Sequence, residues 1–239
     1  MLVPVVFTVI GLIFLAIFLH ERVKVSNARS TILKAMTSAC FMGIAFSGYV
    51  GLQIPANKSV FVALTMAGLL FGLMGDIWLD CKYAHPQSGI TYTYAGFVCF
   101  AIGHIFFDLA LIAGFYTRGH ILYIVIPAVI SVLASIFIAF SEKLLRVTYG
   151  LFKPIVIVYS ALLISLMAFS FGFVLMYNFR NFVLIVFNIG SVFFTVSDFI
   201  LNGTYFGSGK NRSIDVITNH ISYYTAQFLI AFSICLLRF

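Results

Sequence analysis

The sequence predicts an all-α, polytopic membrane protein, a transmembrane bundle of about eight helices. Of its 239 residues 62% are hydrophobic and 9% are charged, and the mean hydropathy is +1.11. Soluble domains carry about 25% charged residues, so this chain cannot cover a globule with solvated side chains. Its apolar stretches are about as long as a membrane-crossing helix and lack the polar–apolar alternation of barrel strands. We expect one integral-membrane domain over residues 1–239.

Clusters of charge, Pro, Asn and Gly divide the chain into the predicted helices. These lie near 2–20, 31–53, 59–80, 93–116, 120–140, 154–177, 182–204 and 214–237. The segments GLLFGLMGDIWLD (68–80) and GSVFFTVSDFILN (190–202) align without a gap. They predict a parallel four-plus-four repeat that places Asp76 opposite Asp198, with chance or shared packing demands as the alternative.

The basic residues predict an orientation. Nine fall in the odd-numbered connections, and four, Lys58, Arg118, Arg180 and Arg238, fall on the other side. The positive-inside rule then places the nine-residue side in the cytoplasm and both termini on the opposite side. The chain begins without a basic segment or a cleavage site, so its first helix is expected to be retained.

Acidic residues inside the spans are the strongest functional signal. A carboxylate in a bilayer costs several kcal/mol unless it is paired, protonated or facing a wet cavity. The polar pairs four residues apart, each on one helix face, are Asp76 with Asp80, His104 with Asp108, and Asp198 with Asn202. The predicted orientation brings further polar residues into the same half of the membrane: Lys34, Tyr94, Tyr159, His220 and Tyr224. We therefore expect a cavity that opens toward the cytoplasm.

Several of these residues have a structural alternative. Lys34 could extend to the interface, and Tyr159, Tyr223 and Tyr224 could belong to an interfacial aromatic belt. His85 and His220 fit solvated positions. Asp108 could simply hydrogen-bond His104.

Other kinds of site fit the sequence less well. Only His104 lies deep in a span, whereas a catalytic zinc site needs several His ligands, so no metal is expected. A hard cation on Asp76, Asp80 and Asp198 remains an alternative. The chain has no nucleophile elbow and no phosphate-binding loop, and its scattered basic residues do not favour nucleic acid. We expect no cofactor.

Four motifs in order carry a family resemblance. They are G-D-x-x-L at 75–79, G-H-I-F-F at 103–107, F-F-x-x-S-D at 193–198 and Y-Y-x-A-Q at 223–227. With eight short-looped helices, they resemble the YhhN-like lysoplasmalogenase family. The resemblance implies a membrane hydrolase that cleaves the vinyl ether bond of lysoplasmalogens. The products would be a fatty aldehyde and glycerophosphoethanolamine or glycerophosphocholine. It marks Asp76, His104, Asp198, Tyr224 and Gln227 as site positions, while Asp80 and Asn202 rest on spacing.

Vinyl ether hydrolysis gives these residues roles. Protonation of the β-carbon yields an oxocarbenium ion that water captures, so an acid and a stabilising carboxylate are needed, as in glycosidases. We expect Asp76 or Asp80 to donate the proton and Asp198 to stabilise the cation or orient water, with His104 assisting. Substrate contacts are expected from Lys34, Tyr159, Asn202, Tyr224 and Gln227. Lys34, with Lys82, Lys210 or Arg212, would meet the headgroup phosphate.

Two other functions remain open at this stage. A proton-coupled carrier of small molecules or lipids would use the acids as a relay and would move substrate without changing it. A scaffold or lipid sensor would use them only to hold helices together. We expect lysophospholipid and membrane lipids as partners, in a bacterial cytoplasmic membrane or the endoplasmic reticulum.

Overall fold

The structure is a helical bundle, described here from a computed structural model that covers residues 2–24, 28–51, 58–207 and 212–237. The α-helices of this part of the chain are α1 (Leu2–Lys24), α2 (Ala28–Gly51), α3 (Ser59–Ala84), α4 (Gly89–Phe115), α5 (Leu122–Phe140), α6 (Glu142–Leu145), α7 (Lys153–Met176), α8 (Phe182–Phe206) and α9 (Ser213–Cys235). Among the same residues, the pairing of extended backbone is limited to one antiparallel bridge between Val147 and Gly207. Helices satisfy every backbone group within the segment, which an apolar chain in lipid requires.

Each predicted segment contains one long helix, so the fold class is confirmed. In the described chain seven helices, α1 to α5, α7 and α8, are long and apolar enough to cross a membrane. The protein is therefore a polytopic integral membrane protein. The eighth segment, α9, is a helix of 23 residues but is not among the seven that are apolar enough to cross a membrane by composition.

One boundary error matters for the site. The first helix was expected to end near residue 20, with Arg22 and Lys24 in a loop. Instead α1 continues to Lys24, and the extra turn places Arg22 inside the bundle at the level of Asp80. The basic character of these residues suggested a loop, but Arg22 has a buried acidic partner that allows the helix to continue.

The two halves of the bundle repeat one packing pattern. The helix α1 packs on α2 as α5 packs on α7, and α3 packs on α4 as α8 packs on α9. Contacts of α2 with α3 correspond to those of α7 with α8, and α4 meets α7 as α9 meets α2. This is the four-plus-four arrangement that the alignment predicts. Its origin by duplication stays a prediction.

Close glycine contacts repeat in the same way. A Cβ at Gly68 would lie 3.0 Å from the carbonyl oxygen of Gly103 on α4, and one at Gly190 would lie 3.1 Å from that of Ala226 on α9. Glycine at both positions lets the paired helices approach closely. The aligned Asp76 and Asp198 follow eight residues after these glycines, so both acids reach the same end of the bundle.

Candidate functional site

A polar cavity of about 520 Å³ opens at one end of the bundle. Its walls come from α1, α2, α3, α4, α8 and α9. The polar side chains that line it are Arg22, Lys24, Lys34, Asp76, Asp80, Lys82, Tyr83, Ser197, Asp198, Thr204, Tyr205, Ser213, Asn219, His220 and Tyr223. The predicted convergence of polar residues on one end is thus present. That this end faces the cytoplasm stays a prediction.

Two cations and two acids form a buried ion cluster in the cavity wall, made of Arg22, Lys34, Asp76 and Asp80. The Nζ of Lys34 lies 3.1 Å from Oδ1 of Asp76 and 3.3 Å from Oδ1 of Asp80. Arg22 pairs with the other carboxylate oxygen of Asp80 through Nη2. All four side chains are buried, and their charges balance, as buried charges require. Lys34 therefore faces inward and does not extend to the interface.

Hydroxyl groups complete the surroundings of Asp76. Its Oδ2 accepts hydrogen bonds from Ser38 on α2 at 2.6 Å and from Tyr223 on α9 at 2.7 Å. The Nε2 of Gln227 in turn donates to the Tyr223 hydroxyl at 3.0 Å. The second and ninth helices are thereby joined to α3 through one carboxylate.

Asp198 has a different environment from Asp76. Its Oδ2 accepts a hydrogen bond from Tyr159 on α7 at 2.5 Å. Within the described ranges it has no ion-pair partner, although it lines the polar cavity. Of the three cavity acids in this part of the chain, Asp198 is the one without a cation in contact.

A second, apolar pocket adjoins the polar cavity. It has a volume of about 50 Å³ and lies between α4, α5, α7 and α8. Its lining residues are Phe97, Ile138, Val156, Tyr159, Ser160, Leu163, Asp198, Phe199, Leu201, Asn202 and Phe206. Asp198 and Leu201 line both spaces. The carboxyl of Asp198 therefore stands at a boundary between a charged and an apolar compartment.

His104 does not line either space. Its ring is fully buried and packs edge-on against Tyr159, at 5.4 Å between ring centroids, and against Phe194, at 4.8 Å. Neither ring nitrogen has a partner among the described residues, and Asp108, one turn on, accepts a hydrogen bond from Ser165 instead. The hydrogen bond between Asp108 and His104, one of the alternatives that the sequence left open, is thus not formed, and the assisting role of His104 stays a prediction. Their position on one helix face did not make the two side chains hydrogen-bond partners.

Four predicted substrate contacts do not line the polar cavity, and one of them, Tyr159, lines the apolar pocket. Tyr224 is fully buried and donates to the carbonyl oxygen of Lys34 at 3.1 Å, so it joins α9 to α2. Gln227 is also fully buried, behind Tyr223. Neighbouring helices cover both side chains, so neither faces the cavity, and their contact with substrate stays a prediction. Asn202 also lines the apolar pocket and donates to Tyr149 at 3.3 Å.

The predicted headgroup cations are divided. Lys82 lines the cavity, with its Nζ 2.5 Å from the Tyr205 hydroxyl. Arg212 is exposed and pairs with Asp215. Lys210 lies outside the described residues.

Three residues of the site were not predicted from the sequence. Arg22 was placed in a connection, and Ser38 carried no signal. Tyr223, for which an interfacial aromatic belt was an alternative as for Tyr159 and Tyr224, was not among the predicted site residues. One feature of the sequence could have indicated Tyr223, namely the low hydropathy of the segment 213–235. A membrane helix of low hydropathy is expected to bury its polar face, which includes Tyr223, against its neighbours. In the part of the chain that the structure describes, no group of three His, Cys, Asp or Glu side chains is placed to hold a metal ion.

The fold and this site define a class, polytopic helical membrane proteins with a charged cavity at one end of the bundle. The chain belongs to the YhhN family, whose model matches residues 29–234 and so confirms the resemblance. No curated protein and no solved structure matches the chain.

Proposed function

We propose that this protein hydrolyses the vinyl ether bond of lysoplasmalogens, releasing a fatty aldehyde and glycerophosphoethanolamine or glycerophosphocholine. The observation that carries the proposal is the position of Asp198 in the walls of both compartments. A lysoplasmalogen has a charged headgroup, an apolar chain and the vinyl ether between them. With the headgroup in the charged space and the chain in the apolar space, the vinyl ether would lie at their junction, next to Asp198.

The two compartments suit the two parts of this substrate. The polar cavity has room for the glycerophospho headgroup and presents cations to it. The apolar pocket would hold only the first carbons of the alkenyl chain. The rest of the chain would extend past Phe199, which lines the pocket and is 48% exposed toward the surroundings of the bundle.

We assign the proton donor to Asp198 in place of Asp76 or Asp80. Asp76 and Asp80 contact Lys34, and Asp80 also pairs with Arg22. With the hydroxyl groups on Oδ2 of Asp76, all four carboxyl oxygens of these two acids already have partners. Asp198 has no such cation in the described chain, and its Oδ2 is occupied by the Tyr159 hydroxyl. Its Oδ1 can therefore hold the proton that the reaction needs.

The reaction follows from this arrangement. The Oδ1 proton of Asp198 moves to the β-carbon, the C=C π electrons form the new C–H bond, and the α-carbon and ether oxygen share the resulting positive charge. The Asp198 carboxylate then faces that cation and accepts a proton from the attacking water. The hemiacetal then collapses to the aldehyde: Asp198 gives the proton it took from water to the ether oxygen, which leaves as the glycerol hydroxyl, and takes the hemiacetal hydroxyl proton, which restores its starting form. Tyr159 keeps the carboxyl aimed, and His104 packs against the Tyr159 ring.

Mass spectrometry of purified full-length protein tests the proposal. The substrates are a lysoplasmalogen and two analogues with an acyl or a saturated alkyl chain. We expect aldehyde from the vinyl ether alone, with one deuterium on the carbon next to the aldehyde carbon in D₂O. In H₂¹⁸O the glycerophospho product should gain no label, because its oxygen comes from the ether.

Two variants separate chemistry from folding. Asp198→Asn should lower kcat by roughly 10²- to 10⁴-fold, the range for general acid–base catalysis. Asp108→Asn is the matched control, since this buried acid lines neither space and Asn can still accept from Ser165. Equal turnover in both variants would remove Asp198 from the reaction. Folded protein that moves lysolipid across liposomes without releasing aldehyde would favour the carrier.

A further inference from the structure

The charges around the polar cavity leave positive charge unmatched. The cationic side chains in its wall are Arg22, Lys24, Lys34 and Lys82. Two of these contact Asp76 and Asp80 in the ion cluster. Neither Lys24 nor Lys82 has an acid within ion-pair distance among the described residues. The excess positive charge favours an anionic ligand.

Arg22, in the wall of the cavity, has two buried donors without a partner among the described residues. Its side chain is 4% exposed, and Nη2 is occupied by Asp80. Nε and Nη1 have no hydrogen-bond partner in the described chain. The guanidinium lies over the ring of Tyr83, with Cζ 4.4 Å from the ring centroid. Buried donors without a partner are rare in proteins, so these two point to a ligand.

Lys82 stands in the same wall with spare donors of its own. Its Nζ lies 2.5 Å from the hydroxyl of Tyr205 and 3.7 Å from the centroid of that ring. One ammonium proton meets the hydroxyl, which leaves two others for a ligand. The tyrosine holds the lysine in place at the wall of the cavity.

We propose that Arg22 and Lys82 form a binding site for a phosphate-class oxyanion at the charged end of the cavity. Arginine offers a fork that matches phosphate oxygens, and lysine adds a point charge beside it. Lys34, expected to meet the phosphate, is already held between two carboxylates. The oxyanion is either the phosphodiester of a lysolipid headgroup, a case that rests on the proposed function, or a free phosphate.

Binding experiments on the full-length protein in detergent test this site without turnover. The probes are a saturated 1-O-alkyl lysophosphatidylcholine, the matching 1-O-alkylglycerol without phosphate, and inorganic phosphate. The variants are Lys82→Met and Arg22→Lys, which keeps the charge but removes the guanidinium fork. Lys143→Met is the control, because this exposed lysine lies outside the polar cavity.

We expect both variants to bind the alkyl lysophospholipid roughly tenfold more weakly, because each loses about one charge-assisted hydrogen bond. Their affinity for the alkylglycerol should be unchanged. A loss confined to inorganic phosphate would still support the site and name a free anion as its ligand. Equal affinities of all three probes in both variants and the control would overturn it. If Arg22→Lys does not fold, Lys82→Met with rescue by Lys82→Arg decides the matter.

The two proposals can fail separately. Variant-sensitive binding of the phospholipid by a protein that releases no aldehyde would reject the hydrolase and leave the anion site standing. Aldehyde release, together with variants whose affinities for the probes are unchanged, would support the hydrolase and reject the anion site.

Discussion

Asp198 stands at the position on α8 that Asp76 occupies on α3, and each accepts a hydroxyl hydrogen bond from the long helix that precedes its own. For Asp76 the donor is Ser38, and for Asp198 it is Tyr159. Only Asp76 has a lysine in contact. The two equivalent positions of the repeat thus hold one carboxyl beside a cation and one without a cation in contact in the described part of the chain. This difference distinguishes Asp76, a structural acid, from Asp198, the candidate catalytic acid.

Removing Asp80 alone should cost more stability than removing it together with Arg22. Asp80→Asn leaves a buried guanidinium uncompensated, which costs about 3 to 5 kcal/mol, whereas Asp80→Asn with Arg22→Met removes both charges. Thermal unfolding in detergent measures the difference.

An exposed ion pair provides the control for that comparison. Glu21 and Arg29 lie 3.8 Å apart, with the Arg29 side chain 70% exposed, so neutralising either should cost at most about 1 kcal/mol. If the double variant at Asp80 and Arg22 lost as much stability as the two single variants added together, the two charges would not compensate each other.

Tyr159→Phe should lower kcat about tenfold with little change in KM. The change removes the hydroxyl that holds Oδ2 of Asp198 but leaves the ring that packs on His104. Steady-state aldehyde release measures both constants. If only KM rises, Tyr159 contacts substrate and does not position the acid.

Filling the apolar pocket should act on the chain of the substrate. Leu163→Phe places a larger side chain in a pocket of about 50 Å³, so kcat/KM for a long-chain lysoplasmalogen should fall about tenfold and recover with a much shorter chain. Leu133→Phe on α5 is the control, since Leu133 is exposed and lines no pocket described here. An equal loss for every chain length would mean that the pocket does not hold the tail.

The repeat predicts matched costs at two glycines. A Cβ at Gly68 would lie 2.5 Å from the Phe107 ring, and one at Gly190 would lie 2.9 Å from Ile230 Cγ1, each with a backbone carbonyl close behind. Gly68→Ala and Gly190→Ala should therefore each lose about 1 to 3 kcal/mol of stability. Gly89→Ala, whose Cβ would meet its nearest neighbour at 3.8 Å, should be close to neutral. Thermal unfolding of the three variants tests whether the two glycines play the same part in the two halves of the repeat. Clearly unequal losses of stability at Gly68 and Gly190 would contradict this.

The sequence was sufficient for the helices and for the acids. Charge and turn residues located the helices, although α1 and α3 continue past the predicted ends, because a bilayer sorts residues by hydropathy more strictly than water does. Spacing placed Asp76 and Asp80 on one face correctly. It could not tell which neighbour each face meets, since that depends on packing between helices distant in sequence.

The failures at particular residues have that same physical cause. Arg22 was missed because its partner, Asp80, is 58 positions away. Tyr224 and Tyr223 are adjacent in sequence, yet a turn of 100° per residue points one at α2 and the other at Asp76. His104 is deep and polar, but the structure surrounds it with aromatic rings.

The low hydropathy of α9 has a consequence for how the protein is made. The side chains that lower it, including Asn219, Tyr223 and Gln227, are buried against other helices. A translocon that inserts segments by their own apolar character would hold α9 weakly, so its insertion depends on α2 and α8 being already in place. Biogenesis therefore couples the last helix to the site: Tyr223 reaches Asp76 only when the rest of the bundle has accepted α9.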